Sequence, residues 1–142
     1  MKKLAVALVI LLAVISGCGS GTGPSDPGQG NCVAWFNGLG FTVDLYYPAD
    51  STLLSGAFVT GEAPNDIVLL DDGLVAVVNS LSSSITFIDP DQPGSIAAEI
   101  ELPVGSNPYC ACTDGSNLYV SCLMGESTGG PCVCVIDLAT LE

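Results

Sequence analysis

Residues 75–90, VAVVNSLSSSITFIDP, lie without a gap on residues 33–48, VAWFNGLGFTVDLYYP, when slid back by 42 positions. Val33, Ala34, Asn37, Leu39 and Pro48 match Val75, Ala76, Asn79, Leu81 and Pro90. The apolar positions of the second half coincide as well, Val43 with Ile85 and Leu45 with Phe87. A third copy runs over 117–138 with a longer turn, and closes on Val135-Ile136-Asp137 as the second closes on Phe87-Ile88-Asp89. Between these hairpins another element recurs. Gly61-x-x-Pro64 precedes Gly105-x-x-Pro108 by 44 residues, and each leads into a short apolar run and an Asp-Gly turn, Asp72-Gly73 and Asp114-Gly115. A chain that repeats itself at this interval folds as an array of supersecondary units.

Four short strands per repeat are the pattern of a β-propeller blade. Strands are expected at 33–37, 42–46 and 57–60 in a first, partial blade, and at 66–70, 74–79, 84–89 and 97–102 in a whole one. Three more, at 109–113, 118–122 and 132–137, begin another. In SITFID, Ile85 and Phe87 alternate with polar neighbours, as the two faces of a strand require. Glycine at the crossover is expected to allow the sharp reversal, and proline to fix entry into the inner strand. The fold class is therefore all-β, an incomplete propeller of about two and a half four-stranded antiparallel blades.

The strings YVSC, AVVNS, ITFID and VCVIDLAT, with the G-x-x-P crossover, resemble the YVTN-type β-propeller repeat over roughly residues 32–142. That family occurs in secreted and surface proteins of bacteria and archaea. The resemblance implies a ring of at least four blades, so this chain is expected to be the N-terminal portion of a longer propeller. Open blade edges would then invite self-association.

The N-terminus points to an exported chain. MKKLAVALVILLAVISGC has a basic start and an apolar run from Leu4 to Ile15, shorter than the roughly 20 residues a spanning helix needs. It fits a secretory signal. Ile15, Ser16, Gly17 and Cys18 resemble the bacterial lipobox, in which Ile15, Ser16 and Gly17 serve signal-peptidase recognition and Cys18 takes the lipid. Several acyl chains make attachment stable where one is marginal. Residues 18–30, rich in Gly, Ser and Pro, read as a flexible tether. Residues 1–17 are thus expected to be a lipoprotein signal peptide and 31–142 the partial propeller. With Gly19 after the cysteine, the resemblance implies the outer membrane in a cell that has two.

Charge narrows the function classes. Past Lys2 and Lys3 there is no Lys or Arg, there is no His anywhere, and the net charge is −13. Nucleic acid is excluded as a partner, since phosphates need basic side chains. The absence of histidine removes the usual general base and the commonest nitrogen ligand. The Asp-rich turns at 71–73 and 89–91 lack the regular oxygen spacing of a calcium loop. No catalytic constellation is found, and no metal or cofactor is expected.

Six cysteines follow Cys18: Cys32, Cys110, Cys112, Cys122, Cys132 and Cys134. Each C-x-C pair on a strand presents both sulfurs on one face. A thiolate cluster, buried unpaired thiols and disulfides all fit such a pattern, and an exported compartment favours disulfides. Pairing about the Asp114-Gly115 turn would bring Cys110 near Cys122, and the next hairpin would bring Cys122 near Cys132. Cys112 and Cys134 fall on strands separated by another.

The expected function is that of an extracytoplasmic lipoprotein, anchored in the membrane through its lipid. Its propeller would act as a binding or interaction scaffold for an envelope protein, a glycan or a small ligand. The alternative is a part of a propeller enzyme, lactonase-, lyase- or quinoprotein-like, whose site depends on further blades.

Overall fold

The computed structural model describes residues 31–125 and 129–141. These residues form ten strands and no helix. The first sheet holds β1 (Val33–Asn37), β2 (Thr42–Tyr47) and β3 (Thr52–Val59). The second holds β4 (Pro64–Leu69), β5 (Val75–Asn79), β6 (Ser84–Ile88) and β7 (Ile96–Glu101). The third holds β8 (Pro108–Thr113), β9 (Asn117–Cys122) and β10 (Cys132–Asp137). Each sheet is antiparallel with its strands in chain order, the arrangement of propeller blades. This is an incomplete propeller, in the three–four–three strand pattern.

The sequence repeat reappears in the backbone. Asn37 pairs with Thr42 as Asn79 pairs with Ser84, 42 residues on. Phe41 and Ser83 close equivalent turns, both with φ of 54°. Gly73 and Gly115 match at 89° and 90°, and Ala63 and Asn107, each preceding a crossover proline, at 53° and 50°. Both inner strands also bulge just after that proline, between Pro64 and Asp66 and between Pro108 and Cys110.

Period-2 geometry divides the core between two interfaces. Every residue of β5 and β6 is buried, because the middle blade is covered on both faces. Ala76, Val78, Ile85 and Phe87 meet Leu118, Val120, Cys122 and Ile136 of the third blade. Val75, Val77 and Ile88 meet Val43, Leu45 and Phe58 of the first. The flanking blades are covered on one side only. Val33 and Trp35 on β1 are exposed, as are Val133 and Val135 on β10.

Polar contacts lock the blades at the same seams. The Tyr47 hydroxyl donates to the Pro90 carbonyl at 2.9 Å, and Gly94 N donates to the Ala57 carbonyl at 2.9 Å. Asp66 on β4 accepts from Ala111 N on β8 at 2.8 Å, tying the two inner strands together.

The first blade departs from expectation in its outer strand. The strand expected at 57–60 begins earlier, for β3 runs from Thr52. The pair β2–β3 absorbs Ser55 and Gly56 as a bulge opposite Asp44. Asp44 Oδ1 accepts from Gly56 N at 2.6 Å, holding that glycine at φ 63°. A bulge and a turn use the same residue types, and only tertiary pairing separates them.

Candidate functional site

The densest chemistry among the described residues is a group of three sulfurs at the β9–β10 hairpin. Cys122 ends β9 and stands directly opposite Cys132, the first residue of β10. Cys134 lies two residues on, on the same face, because side chains of a strand share a face at every second position. Its sulfur is 3.5 Å from that of Cys122, and the three sulfurs all lie within 4.8 Å of one another. The face they share is the one packed against the middle blade, where Cys122 belongs to the core and Cys132 and Cys134 border it. Burial, with the neighbouring Cys134 and Cys132 sulfurs adding to it, pushes the Cys122 thiol up to about 12. A thiol held so strongly neutral is a poor nucleophile.

Cys110 does not join them. From the turn outward the ladder runs unbroken, with Thr113 opposite Leu118, Cys112 opposite Tyr119 and Cys110 opposite Ser121. Cys110 therefore falls on the face away from Cys122, and the bulge comes only beyond it, at Tyr109. The Cys110 sulfur lies 3.0 Å from the Ser121 hydroxyl, on the exposed face of the third blade, and Cys112 points the same way opposite Tyr119. The expected proximity of Cys110 to Cys122 is therefore not found, and the expected proximity of Cys122 to Cys132 is. All six described cysteines carry free thiols. From sequence, Cys134 is one member of the two C-x-C pairs that, with Cys122, fit a thiolate cluster. Its C-x-C spacing placed it on the face of Cys132, but choosing which sulfurs of β8 shared that face required the register that the β8–β9 turn sets.

Carboxylates gather at the end of the blades where β4 turns into β5, β6 into β7 and β8 into β9. Two clefts open there between blades. The larger, of roughly 520 Å³, is lined by Leu70, Asp71, Leu74, Phe87, Asp137 and Leu141 among others. The second reaches from the same Leu70, Asp71, Asp72 and Leu74 to Asn31, Cys32, Asp89 and Asp91. Burial and the Asp91 charge raise the Cys32 thiol above its ordinary range.

Asp114 caps the β8–β9 turn at this end. It accepts from Asn117 N at 2.8 Å, Ser116 N at 2.9 Å and the Tyr119 hydroxyl at 2.8 Å. These donors, Asn117 N foremost, hold its carboxyl at about 2, below the ordinary 3.8. A carboxylate depressed in this way stabilises the fold fully above about pH 4, and the contribution disappears as the pH falls through about 2. Asp114→Asn should therefore flatten the loss of stability between pH 4 and 2, read by denaturation at each pH. An ordinary carboxyl titration of Asp114 by NMR would contradict the turn geometry.

Ile15, Ser16, Gly17 and Cys18, with the whole segment 1–30, lie outside the described residues. Among the described residues no helix is long and apolar enough to cross a membrane.

No protein-family model and no curated protein matches the chain. Solved structures do. The hydrazine synthase of Kuenenia stuttgartiensis aligns with 78% of the chain at 23% identity and a TM-score of 0.63. A catalytically inactive virginiamycin B lyase from Staphylococcus aureus, with quinupristin, aligns with 72% at 13% identity and a TM-score of 0.52. A streptogramin B lyase structure aligns with 76% at 15% identity and a TM-score of 0.52. The chain spans 30%, 37% and 37% of those three chains. At these identities the likeness is one of fold, and the fold it shares is the β-propeller.

Proposed function

We propose that this chain is a lipid-anchored envelope protein whose YVTN-like propeller blades serve as a binding scaffold. Export and anchoring rest on the N-terminal sequence, with Ile15, Ser16 and Gly17 read by the signal peptidase and Cys18 acylated. The observation that carries the scaffold reading is the pair of inter-blade clefts sharing Leu70, Asp71, Asp72 and Leu74. Their apolar floors and acidic rims suit a partner that offers a hydrocarbon or sugar face together with hydrogen-bond donors or positive charge. An envelope protein, a glycan or a small ligand meets that description.

Cys18→Ala should move the protein from the membrane fraction to the soluble one, or leave it unprocessed, and should abolish palmitate incorporation. A Cys18→Ala protein that still labels with palmitate would remove the anchor. For the scaffold, Asp71→Asn with Asp72→Asn should weaken retention of the full chain on isolated cell-envelope material. Unchanged retention would remove the clefts from the reading.

The enzymatic alternative draws on fold alone, since two of the similar propellers are lyases. In a propeller such chemistry converges on the inner strands. Here the acidic residue at that place, Asp66, accepts a backbone hydrogen bond from Ala111. Turnover of quinupristin by the full chain would turn the reading toward a lyase.

A further inference from the structure

We propose that Cys122, Cys132 and Cys134 form a three-thiolate site for monovalent copper. The proposal is independent of the anchor and of the clefts, which lie at the other end of the blades.

Geometry comes first. A trigonal centre with metal–sulfur bonds of about 2.3 Å holds its sulfurs about 4 Å apart. The three sulfurs here lie within 4.8 Å of one another, with Cys122 and Cys134 at 3.5 Å. Movements of a few tenths of an ångström would bring them to that spacing, within the reach of a χ1 adjustment. Two strands of one hairpin supply all three, so the site needs no distant part of the chain to form.

Donor chemistry selects the metal. Soft thiolates favour monovalent copper, zinc and iron–sulfur clusters over hard cations. Zinc in a structural site takes four protein ligands, and iron–sulfur clusters are held by four cysteines as a rule. This cluster offers three, all sulfur, and the chain has no histidine to add a nitrogen. A three-coordinate soft cation matches that count. The sulfurs border an apolar core containing Leu118, Val120 and Leu102, which disfavours bare thiolates, and a bound cation is what offsets their charge there. Binding displaces a thiol proton to solvent for each copper–thiolate bond formed. Copper enters and stays as the monovalent ion, so no electron is transferred.

Disulfide formation is the competing fate. A bond of about 2.05 Å requires Cα atoms within roughly 6.8 Å. The directly opposed pair, Cys122 and Cys132, is the natural partner set, whereas Cys122 and Cys134 are diagonal neighbours, about 7–8 Å apart in an antiparallel ladder. A Cys122–Cys132 bridge would leave Cys134 over. A metal uses all three.

The test uses the full chain, reduced and kept anaerobic, titrated with monovalent copper against the chromogenic chelator bicinchoninate. One equivalent should be retained, with X-ray absorption showing three sulfur neighbours at ~2.3 Å. Cys134→Ser and Cys132→Ser should each weaken retention by at least the ~10–100-fold that loss of a mere outer-shell partner costs. Cys110→Ser with Cys112→Ser should leave stoichiometry and affinity unchanged. Far-UV circular dichroism confirms that each variant still folds. Four results would each overturn the proposal. These are failure to compete with the chelator, dependence on Cys110 or Cys112, preferential retention of zinc, and a Cys122–Cys132 disulfide in protein isolated from the cells that make it.

Discussion

Phe87→Ala should lower the free energy of unfolding by about 3–5 kcal/mol, the usual cost of emptying a buried aromatic site. Phe87 is fully buried on β6 and belongs to the cluster between the middle and third blades. Truncation removes contacts with both sheets of that interface, and β-sheets joined by two antiparallel neighbours cannot collapse far to refill the space. Small domains have ~5–15 kcal/mol in all, so this one substitution would remove a large share. Denaturant unfolding followed by circular dichroism measures it. Val135→Ala, on the exposed face of β10, is the control and should change stability by no more than ~0.5 kcal/mol. Similar effects at both positions would mean that the blades do not pack face to face as described.

The second large effect concerns the crossover glycines, which the sequence presents as equivalent. Gly61→Ala would place a Cβ 2.9 Å from Cβ and Cγ of Asn79 and 2.8 Å from the Ser82 hydroxyl oxygen. Neither neighbour can retreat without loss. Asn79 is wholly buried and donates to Ser84 and Thr86, while the Ser82 hydroxyl accepts from Glu62 N at 2.5 Å. Overpacking of this kind costs about 1–3 kcal/mol. At Gly105 a Cβ would meet nothing within 4 Å, but the backbone has φ of +76°. Alanine there is strained by about 1–2 kcal/mol through its conformation alone. Asparagine tells the two apart, since it tolerates a left-handed backbone and is larger than alanine. Gly105→Asn should recover most of the loss seen in Gly105→Ala, and Gly61→Asn should be worse than Gly61→Ala. The sharp reversal expected of both glycines thus describes Gly105, whereas Gly61 is there for the close approach of Asn79.

Much of this architecture is legible in the sequence, for a physical reason. A blade cannot bury its faces alone, so every blade must carry the same alternation and the same turns, and the repetition multiplies a weak signal. Strands β5, β6, β9 and β10 follow from it to within a residue. What escapes is strand register, which alternation alone does not show. The strand expected to start at Ala57 starts at Thr52, because Ser55 and Gly56 are taken up as a bulge opposite Asp44. The β8–β9 turn sets Thr113 opposite Leu118, and that register turns Cys110 and Cys112 away from Cys122. The candidate site was therefore only half legible. Its sulfurs were visible as strand residues, but their grouping depended on the register set by the β8–β9 turn, which strand alternation alone does not reveal.

Burial of both faces of the middle blade has a consequence for the fidelity of strand alignment. In a sheet with one wet face, a slip by one residue exposes every apolar side chain, and water enforces the register. On β5 that safeguard is missing, because Val75 and Val77 face one apolar layer and Ala76 and Val78 face another. Alignment must come from elsewhere. The turn before β5, with Gly73 at φ 89°, and the turn after it, with Ser83 at φ 54°, fix the length of the strand at both ends. Asn79 acts as an index mark, since its amide nitrogen reaches Ser84 and Thr86 only when Asn79 stands opposite Ser84. Three small polar side chains buried among hydrocarbon thus decide which of two equally greasy alignments the hairpin adopts.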